Sequence, residues 1–204
     1  MSRLWLIPAF AVLQSPLLAQ AGSVLQSELP PAGFGSLHQD DIAIRIEANN
    51  VAITILPLDE RVTRLLAPDT YGAVHQLVQT REEAIAEATR RAGFATAVPL
   101  LVTVYALDDQ VSFNPDQVIL QSRGRTFRPE AVLPISTRWS EYRLPRRETA
   151  SAIFLFDDAV DVLAPLTVQY ASETSTSWEK TLRRLEVERT RVEARAKRPG
   201  ASPP

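Results

Sequence analysis

The 204-residue chain has no cysteine, only two histidines and only seven glycines. The absence of cysteine excludes disulfide bonds, thiol catalysis, cysteine-ligated zinc and the lipid-modified cysteine of a lipoprotein. The scattered glycines form no phosphate-binding loop, and no Gly-x-Ser-x-Gly motif is present to hold the nucleophile of a serine hydrolase. Neither His38 nor His75 has a matching serine nearby, so we expect both on the surface. We therefore predict that the protein is not an enzyme and has no catalytic residues, cofactor or metal ion.

Acidic residues gather at two predicted turns, one around 108–116 and one around 157–161. Carboxylates from two loops at one end of a sandwich could together bind calcium. Aspartate is also favoured in turns because its side chain accepts hydrogen bonds from nearby backbone amides. Since no EF-hand spacing is present, we expect the turn role for Asp108, Asp109, Asp116, Asp157, Asp158 and Asp161.

The chain carries little net charge, −2 at pH 7, and 45% of its residues are hydrophobic while 23% are charged. This composition is typical of a folded domain that can bury a core. The small net charge gives no general electrostatic reason to expect nucleic-acid binding.

The first twenty-one residues have the pattern of a secretory signal peptide. Arg3 precedes an apolar run over 4–18, and Ala19-Gln20-Ala21 matches the A-x-A site after which signal peptidase cuts. The apolar run is short and contains two prolines, so an uncleaved membrane anchor is the less favoured alternative. We predict a secreted or periplasmic protein with no transmembrane segment after processing.

The remaining chain divides by composition. Residues rich in Gly, Ser and Pro lie on both sides of a stretch with clear strand and helix patterns. The predicted organisation is a signal peptide over 1–21, a flexible leader over 22–36, a β-sandwich domain over 37–176 with a helical insertion at about 68–92, a C-terminal helix over 177–197 and a disordered tail over 198–204.

Period-two alternation predicts several strands. Two alternating stretches, over 41–48 and 51–56, are separated by Asn49-Asn50 and predict a hairpin. The apolar run over 98–107 predicts a central strand buried on both faces. Further strands are expected over 117–121, 125–128, 151–156 and 166–170. About seven short strands favour a mainly β fold, an immunoglobulin-like β-sandwich with a helical insertion and a C-terminal amphipathic helix; an α+β arrangement is the alternative.

Three helices are predicted. Thr80 and Glu83 form a capping box that would begin one helix, and a shorter helix over about 68–79 would precede it. Gly93 is placed to end the second helix. The C-terminal helix carries an apolar stripe suited to docking on the sandwich, made of Trp178, Leu182, Leu185, Val192 and Ala196.

The one strongly basic stretch lies between 123 and 148, where seven arginines stand against three glutamates and aromatic residues are interleaved. Arginine binds phosphates and carboxylates through two parallel hydrogen bonds, and aromatic rings stack on sugars or bases. The candidate ligand-binding residues are therefore Arg123, Arg125, Arg128, Arg138, Trp139 and Arg143. The alternative is structural: the arginines pair with the acidic turns, and Trp139 packs into the core.

Three short motifs, Phe113-Asn114-Pro115-Asp116, Arg123-Gly124-Arg125 and Phe127-Arg128-Pro129, resemble those of uncharacterised small secreted bacterial envelope proteins with an immunoglobulin-like sandwich. Trp178 followed by a helix rich in arginine and glutamate is similar to the same group. The resemblance implies a fold and a compartment, and it implies no catalytic residues.

Together these observations predict an exported, non-enzymatic envelope binding protein of unknown ligand. Its partner would be an anionic envelope polymer or an envelope protein, contacted through the arginine-rich segment. One alternative is a structural subunit of an envelope assembly, joined through sheet edges and the C-terminal helix. A second alternative is a hydrolase of envelope polymers that uses carboxylates.

Overall fold

The computed structural model describes residues 29–198. The predicted signal peptide, the first part of the predicted leader and all but the first residue of the predicted tail lie outside the described residues. Within them, strand accounts for 34% and helix for 35%. The fold therefore contains as much helix as strand, so the expectation of a mainly β chain understates its helical part.

The described chain forms two larger sheets, one small sheet and four α-helices. The strands are β1 Ile44–Ala48, β2 Val51–Pro57, β3 Ala97–Ala106, β4 Val111–Ser112, β5 Val118–Ser122, β6 Arg125–Phe127, β7 Ala131–Pro134, β8 Arg143–Leu144, β9 Thr149–Asp157, β10 Leu166–Tyr170 and β11 Glu173–Ser175. The α-helices are α1 Gln39–Ile42, α2 Glu60–Thr63, α3 Pro68–Arg91 and α4 Trp178–Ala196.

All pairs of named strands are antiparallel, as predicted. The first sheet has the order β1-β2-β3-β9-β7, the second has the order β11-β10-β5-β6, and β4 pairs with β8. β1 contacts both β10 and β11, which brings the two larger sheets together around one core. The antiparallel sheets and the C-terminal helix confirm the coarse fold prediction.

The hairpin around Asn49-Asn50 forms as predicted. Ile44 lies opposite Ile55, and the two asparagines have φ angles of 51° and 61°. Positive φ at both central residues matches the right-handed twist of the strands, and asparagine tolerates that conformation better than most residues. The turn residues therefore set the register that buries the isoleucines of both strands on one face.

β3 is central, but it is not buried on both faces. Leu100, Val102 and Val104 are buried, whereas Tyr105 on the opposite face is 36% exposed. The near-continuous apolar run led to the wrong prediction, because an apolar run does not show which face of a strand is covered. Helix α3 packs against β7 and β9 of this sheet, while Tyr105 on the same strand remains exposed.

The two helices predicted over 68–92 are one continuous helix, α3. The Thr80 hydroxyl does not cap a helix start; it donates to the Leu77 carbonyl oxygen at 2.9 Å. The predicted end is confirmed, since the helix stops at Arg91 and Gly93 has a φ of 82°. A capping box has no role when the preceding residues are already helical.

Helix α4 packs on the core through the predicted stripe. Trp178, Leu185 and Val192 are buried, and the Trp178 indole N–H donates to the Val162 carbonyl oxygen at 3.0 Å. The stripe also buries Glu188, which was not predicted. Within residues 29–198, no helix is both long enough and apolar enough to cross a membrane.

The leader prediction over 22–36 is wrong for its last residues, which lie against the fold. The Ser36 amide donates to Glu188 Oε1 at 2.9 Å, and Arg195 Nη1 donates to the Phe34 carbonyl oxygen at 2.5 Å. Gly35 lies directly against the backbone of Leu65. Polar, glycine-rich composition predicts flexibility, but here helix α4 supplies partners for the backbone.

Candidate functional site

An open cleft of about 810 Å³ lies beside the small β4–β8 sheet. This volume is within the range of small-molecule sites, about 300–1,000 Å³. The cleft is lined by Ser112, Phe113, Asn114, Pro115, Asp116, Val132, Glu141, Tyr142 and Arg143. Three elements therefore build it: the loop that follows β4, the edge strand β7, and the end of the 3₁₀ helix Thr137–Glu141 that leads into β8.

The loop after β4 is held by hydrogen bonds to its own residues and to the second sheet. Asn114 Oδ1 accepts from the Asp116 amide at 3.0 Å and so caps the 3₁₀ helix Pro115–Gln117. The Asn114 amide donates to the Tyr170 hydroxyl oxygen at 3.3 Å. Burial raises the pKa of Tyr170, and the Asn114 amide opposes that rise. One wall of the cleft is thus fixed to β10.

The floor of the cleft rests on packed aromatic rings. The Phe113 and Trp139 ring centroids are 5.0 Å apart, and those of Trp139 and Phe154 are 5.6 Å apart, both edge to face. Trp139 is 1% exposed, and its indole nitrogen has no hydrogen-bond partner among residues 29–198. Trp139 supports the cleft from below and cannot stack on a ligand, so its place among the candidate ligand-binding residues is corrected.

Tyr142 projects into the cleft from a strained backbone position. Its φ is 50° and ψ is 20°, the left-handed region that bulky residues rarely adopt. Its amide donates to the Trp139 carbonyl oxygen at 3.3 Å, and its carbonyl oxygen accepts from the Phe113 amide at 3.1 Å. The side chain is 50% exposed, while its ring lies 5.9 Å from that of Phe113. Backbone hydrogen bonds on both sides therefore fix the position of Tyr142, and half of its side chain is exposed at the cleft.

Three charged side chains line the cleft beside Tyr142, and all three are exposed: Asp116, Glu141 and Arg143. In the part of the chain that the structure describes, none of them forms an ion pair or a side-chain hydrogen bond. Their hydrogen-bonding capacity is therefore available to a ligand.

The structure separates the predicted arginines. Arg123, at the turn between β5 and β6, contacts Asp161 Oδ2 at 2.5 Å, and Arg138 contacts Glu148 Oε2 at 2.7 Å. Arg125 lies over the Phe127 ring at 5.0 Å from its centroid. Of these three, only Arg123 pairs with an acidic turn, as the structural alternative expects. Arg138 pairs with Glu148, outside those turns, and Arg125 has an aromatic neighbour.

The other two predicted arginines lie at the cleft. Arg143 lines it, and Arg128 Nη1 donates to the Asp116 backbone oxygen at 2.9 Å on the adjoining wall. Sequence reasoning named Arg143 as a ligand-binding residue, considered Asp116 only as a turn residue or calcium ligand, and missed Asn114 and Glu141. The Phe113–Asp116 motif contains Asn114 and Asp116, yet no sequence pattern shows that this loop meets the chain around 142.

A second polar cluster surrounds Glu60, at the start of α2. Its carboxylate accepts from Arg64 Nε at 2.5 Å and from the Tyr71 hydroxyl at 3.0 Å, and it contacts His75 Nδ1 at 2.9 Å. Burial raises the pKa of Glu60, but the hydrogen bonds from Arg64, His75 and Tyr71 outweigh it, and the net shift is downward. His75 is therefore engaged with α2 rather than simply solvated on the helix surface.

Four of the six turn aspartates accept from backbone amides, as the turn interpretation expects: Asp108, Asp109, Asp157 and Asp161. Asp158 accepts from the Thr96 hydroxyl instead, and the Asp116 side chain has no such bond among the described residues. Asp157 Oδ1 accepts from the Ala159 amide at 2.7 Å, and Asp161 Oδ1 accepts from the Leu163 amide at 3.0 Å. Within the described range, no three histidine, aspartate or glutamate side chains come together in a way that could hold a metal ion. We found no match to the chain among protein family models, curated proteins or solved structures.

Proposed function

We propose that this chain is an exported, non-enzymatic binding protein that contacts an anionic polymer of the cell envelope through the cleft beside β8. The observation that carries the proposal is Arg143, an exposed guanidinium in an open cleft with no acidic partner among residues 29–198. Export rests on the sequence pattern of Arg3, the apolar run over 4–18 and Ala19-Gln20-Ala21.

Arg143 differs from the other candidate arginines in what it can offer a ligand. Arg123 and Arg138 already contact carboxylates, so an anion would have to compete with Asp161 and Glu148. Arg143 has five N–H donors and no such competitor in the described part of the chain, and it lies next to the aromatic ring of Tyr142. Arg128 adds a second positive charge on the wall formed by Asp116.

The carboxylates of Asp116 and Glu141 give the cleft a mixed polar lining. Both are exposed and lie where they can accept hydrogen bonds from hydroxyl groups on a ligand. A pair of carboxylates beside a cleft is also the minimum equipment for glycoside hydrolysis, the second alternative. The binding test is therefore accompanied by a measurement of whether the protein cleaves polygalacturonate.

The test is binding of the purified protein to polygalacturonate, dextran sulfate and polyphosphate, measured by titration calorimetry. Arg143→Glu is expected to weaken binding about tenfold or more, since losing one ionic contact of about 1.4 kcal/mol has this effect. Arg125→Glu is the matched control, because it makes the same charge change outside the cleft. Its affinity is expected to stay close to that of the unaltered protein.

Failure of all three polymers to bind, or equal losses in the two variants, would overturn the proposal. Release of reducing ends from polygalacturonate, abolished by Asp116→Asn, would replace binding with the hydrolase alternative. Size measurement separates the assembly alternative, since a structural subunit would elute as a large complex.

We also propose that the two larger sheets form an immunoglobulin-like sandwich. The burial of side chains from both sheets in one hydrophobic cluster supports it. An experimental structure with the strands of the two sheets inclined by about 30° would agree with the aligned packing of such sandwiches. Sheets that join only at their edges would contradict it.

A further inference from the structure

We infer that the cleft binds a uronic acid residue, a sugar that carries a carboxylate, with its ring stacked on Tyr142. This inference rests on the proposed function and names the ligand class of the same site. It starts from the side chains that line the cleft and offer unused surface: Asn114, Asp116, Glu141, Tyr142 and Arg143.

The first step is the exposed ring of Tyr142. A half-exposed aromatic side chain is expected to pack down when its backbone permits, because about 25 cal/mol is gained for each Å² of apolar surface buried. Here the left-handed backbone and two backbone hydrogen bonds fix the position of Tyr142, and its ring stays half exposed at the cleft. A non-glycine residue in this region costs of order 1 kcal/mol, and such strain concentrates at binding sites.

The second step is the chemistry of the ring face. Aromatic rings carry negative charge density on their faces and positive charge at their edges. The axial C–H groups of a pyranose carry a small positive charge and lie on one face of the sugar. A sugar ring therefore suits the exposed face of Tyr142, whose other contact is the edge-to-face packing with Phe113.

The third step is the polar lining around the ring. Sugar hydroxyls both donate and accept hydrogen bonds, so they need acceptors as well as donors nearby. Asp116 and Glu141 supply carboxylate acceptors, and the amide nitrogen of the Asn114 side chain supplies a donor while its oxygen caps the 3₁₀ helix. Two carboxylates beside one arginine therefore favour a ligand that offers several hydroxyl donors together with one anionic group.

The fourth step is Arg143, which distinguishes an acidic sugar from a neutral one. Its guanidinium can bind a carboxylate through two parallel hydrogen bonds. Arg143 directly follows Tyr142 in the chain, at the start of β8, so a ligand stacked on the ring lies beside the guanidinium. A cleft of about 810 Å³ has room for one or two sugar rings.

The test compares oligogalacturonide with polyphosphate of matched charge, using the full chain and two Tyr142 variants. Tyr142→Asn removes the ring but suits the left-handed backbone, since asparagine is enriched there. It is expected to weaken oligogalacturonide binding about tenfold, as loss of a central aromatic contact does. Tyr142→Phe retains the ring face and is expected to bind nearly as well as the unaltered protein. Thermal unfolding of both variants confirms that each is folded.

The outcomes separate this inference from the proposed function. Equal binding of oligogalacturonide and polyphosphate, unchanged in Tyr142→Asn but reduced in Arg143→Glu, would overturn the sugar assignment and leave the anion-binding proposal standing. A further ligand is oligogalacturonide whose carboxyl groups have been reduced to alcohols. If the protein binds this neutral form as tightly as oligogalacturonide, and Tyr142→Asn abolishes both interactions, the acidic-sugar assignment and the anionic-polymer proposal are both overturned. Absence of binding to both oligogalacturonide and polyphosphate would overturn the sugar assignment, and absence of binding to dextran sulfate as well would overturn the proposed function.

Discussion

At the scale of single residues, Glu60 shows how a partly buried carboxylate is kept charged. Arg64 and Tyr71 donate to one of its oxygens, and His75 contacts the other. A carboxyl group with a lower pKa in the folded chain than in the unfolded chain stabilises the fold above its unfolded pKa. That contribution is lost as the pH falls through the folded pKa.

We expect Glu60→Gln to lower the free energy of unfolding by about 1 kcal/mol near neutral pH, a modest value because Glu60 is partly exposed. The difference in the free energy of unfolding between Glu60→Gln and the unaltered protein should shrink as the pH falls below 4.5, the ordinary pKa of a glutamate side chain. Urea unfolding at neutral pH and at several lower pH values measures both effects. Glu83→Gln, an exposed change on α3, is the control; a difference for Glu60→Gln that grows at low pH would contradict the argument.

At the scale of elements, the best example is the close approach between the segment before α1 and the loop after α2. A Cβ placed on Gly35 would lie 2.3 Å from the carbonyl carbon and oxygen of Leu65 and from the oxygen of Leu66. Real Cβ atoms do not approach backbone so closely, so any larger residue must push the two segments apart. The Leu37 amide, two residues on, also donates to the Leu65 carbonyl oxygen at 3.1 Å.

We expect Gly35→Ala to lower the free energy of unfolding by about 1–3 kcal/mol, the usual cost of overpacking. Gly72→Ala is the matched control, since Gly72 lies within α3 and a Cβ added to it would meet none of the described atoms outside its own helix turn within 4 Å. It should raise stability by about 0.5–1 kcal/mol, because alanine is the better helix former. Thermal or urea unfolding compares the two, and equal effects would show that the approach at Gly35 is not restrictive.

At the scale of the whole molecule, Glu188 joins the two ends of the described chain. It is 2% exposed and accepts from the amide and hydroxyl of Ser36 and from Arg195. Arg195 in turn donates to the Phe34 carbonyl oxygen. Ser36 and Glu188, 152 positions apart in sequence, are thus connected through one buried carboxylate.

We expect Glu188→Ala to lower the free energy of unfolding by about 3 kcal/mol, because one partner of a buried ion pair is removed. Glu186→Ala, on the exposed face of the same helix, should change stability by less than about 0.5 kcal/mol. Urea unfolding provides the values, and limited proteolysis shows whether the segment around Ser36 is released. A small loss for Glu188→Ala with no new cleavage near Ser36 would show that the connection is not needed.

Much of the fold was predictable from local patterns. Alternating isoleucines and the Asn49-Asn50 pair specify a hairpin because side-chain period and turn geometry both act over a few residues. The docking stripe of α4 follows from helical spacing in the same way. The short strands β4, β7, β8 and β11 were not predicted, because two to four residues carry too little alternation to be recognised.

The sequence by itself determined the antiparallel hairpins, the C-terminal helix and the presence of a basic, aromatic-rich stretch, since these depend on neighbouring residues. Only the tertiary structure decided which of the candidate arginines already have acidic partners. Asp161 lies 38 positions from Arg123 in sequence, and nothing in the basic stretch shows that Glu148 pairs with Arg138 in preference to its other arginines. The same applies to Trp139, whose burial depends on Phe113 and Phe154 from different strands and loops. The candidate site forms where the loop after β4, the strand β7 and the chain around Tyr142 come into contact, and local periodicity carries no information about such long-range contacts.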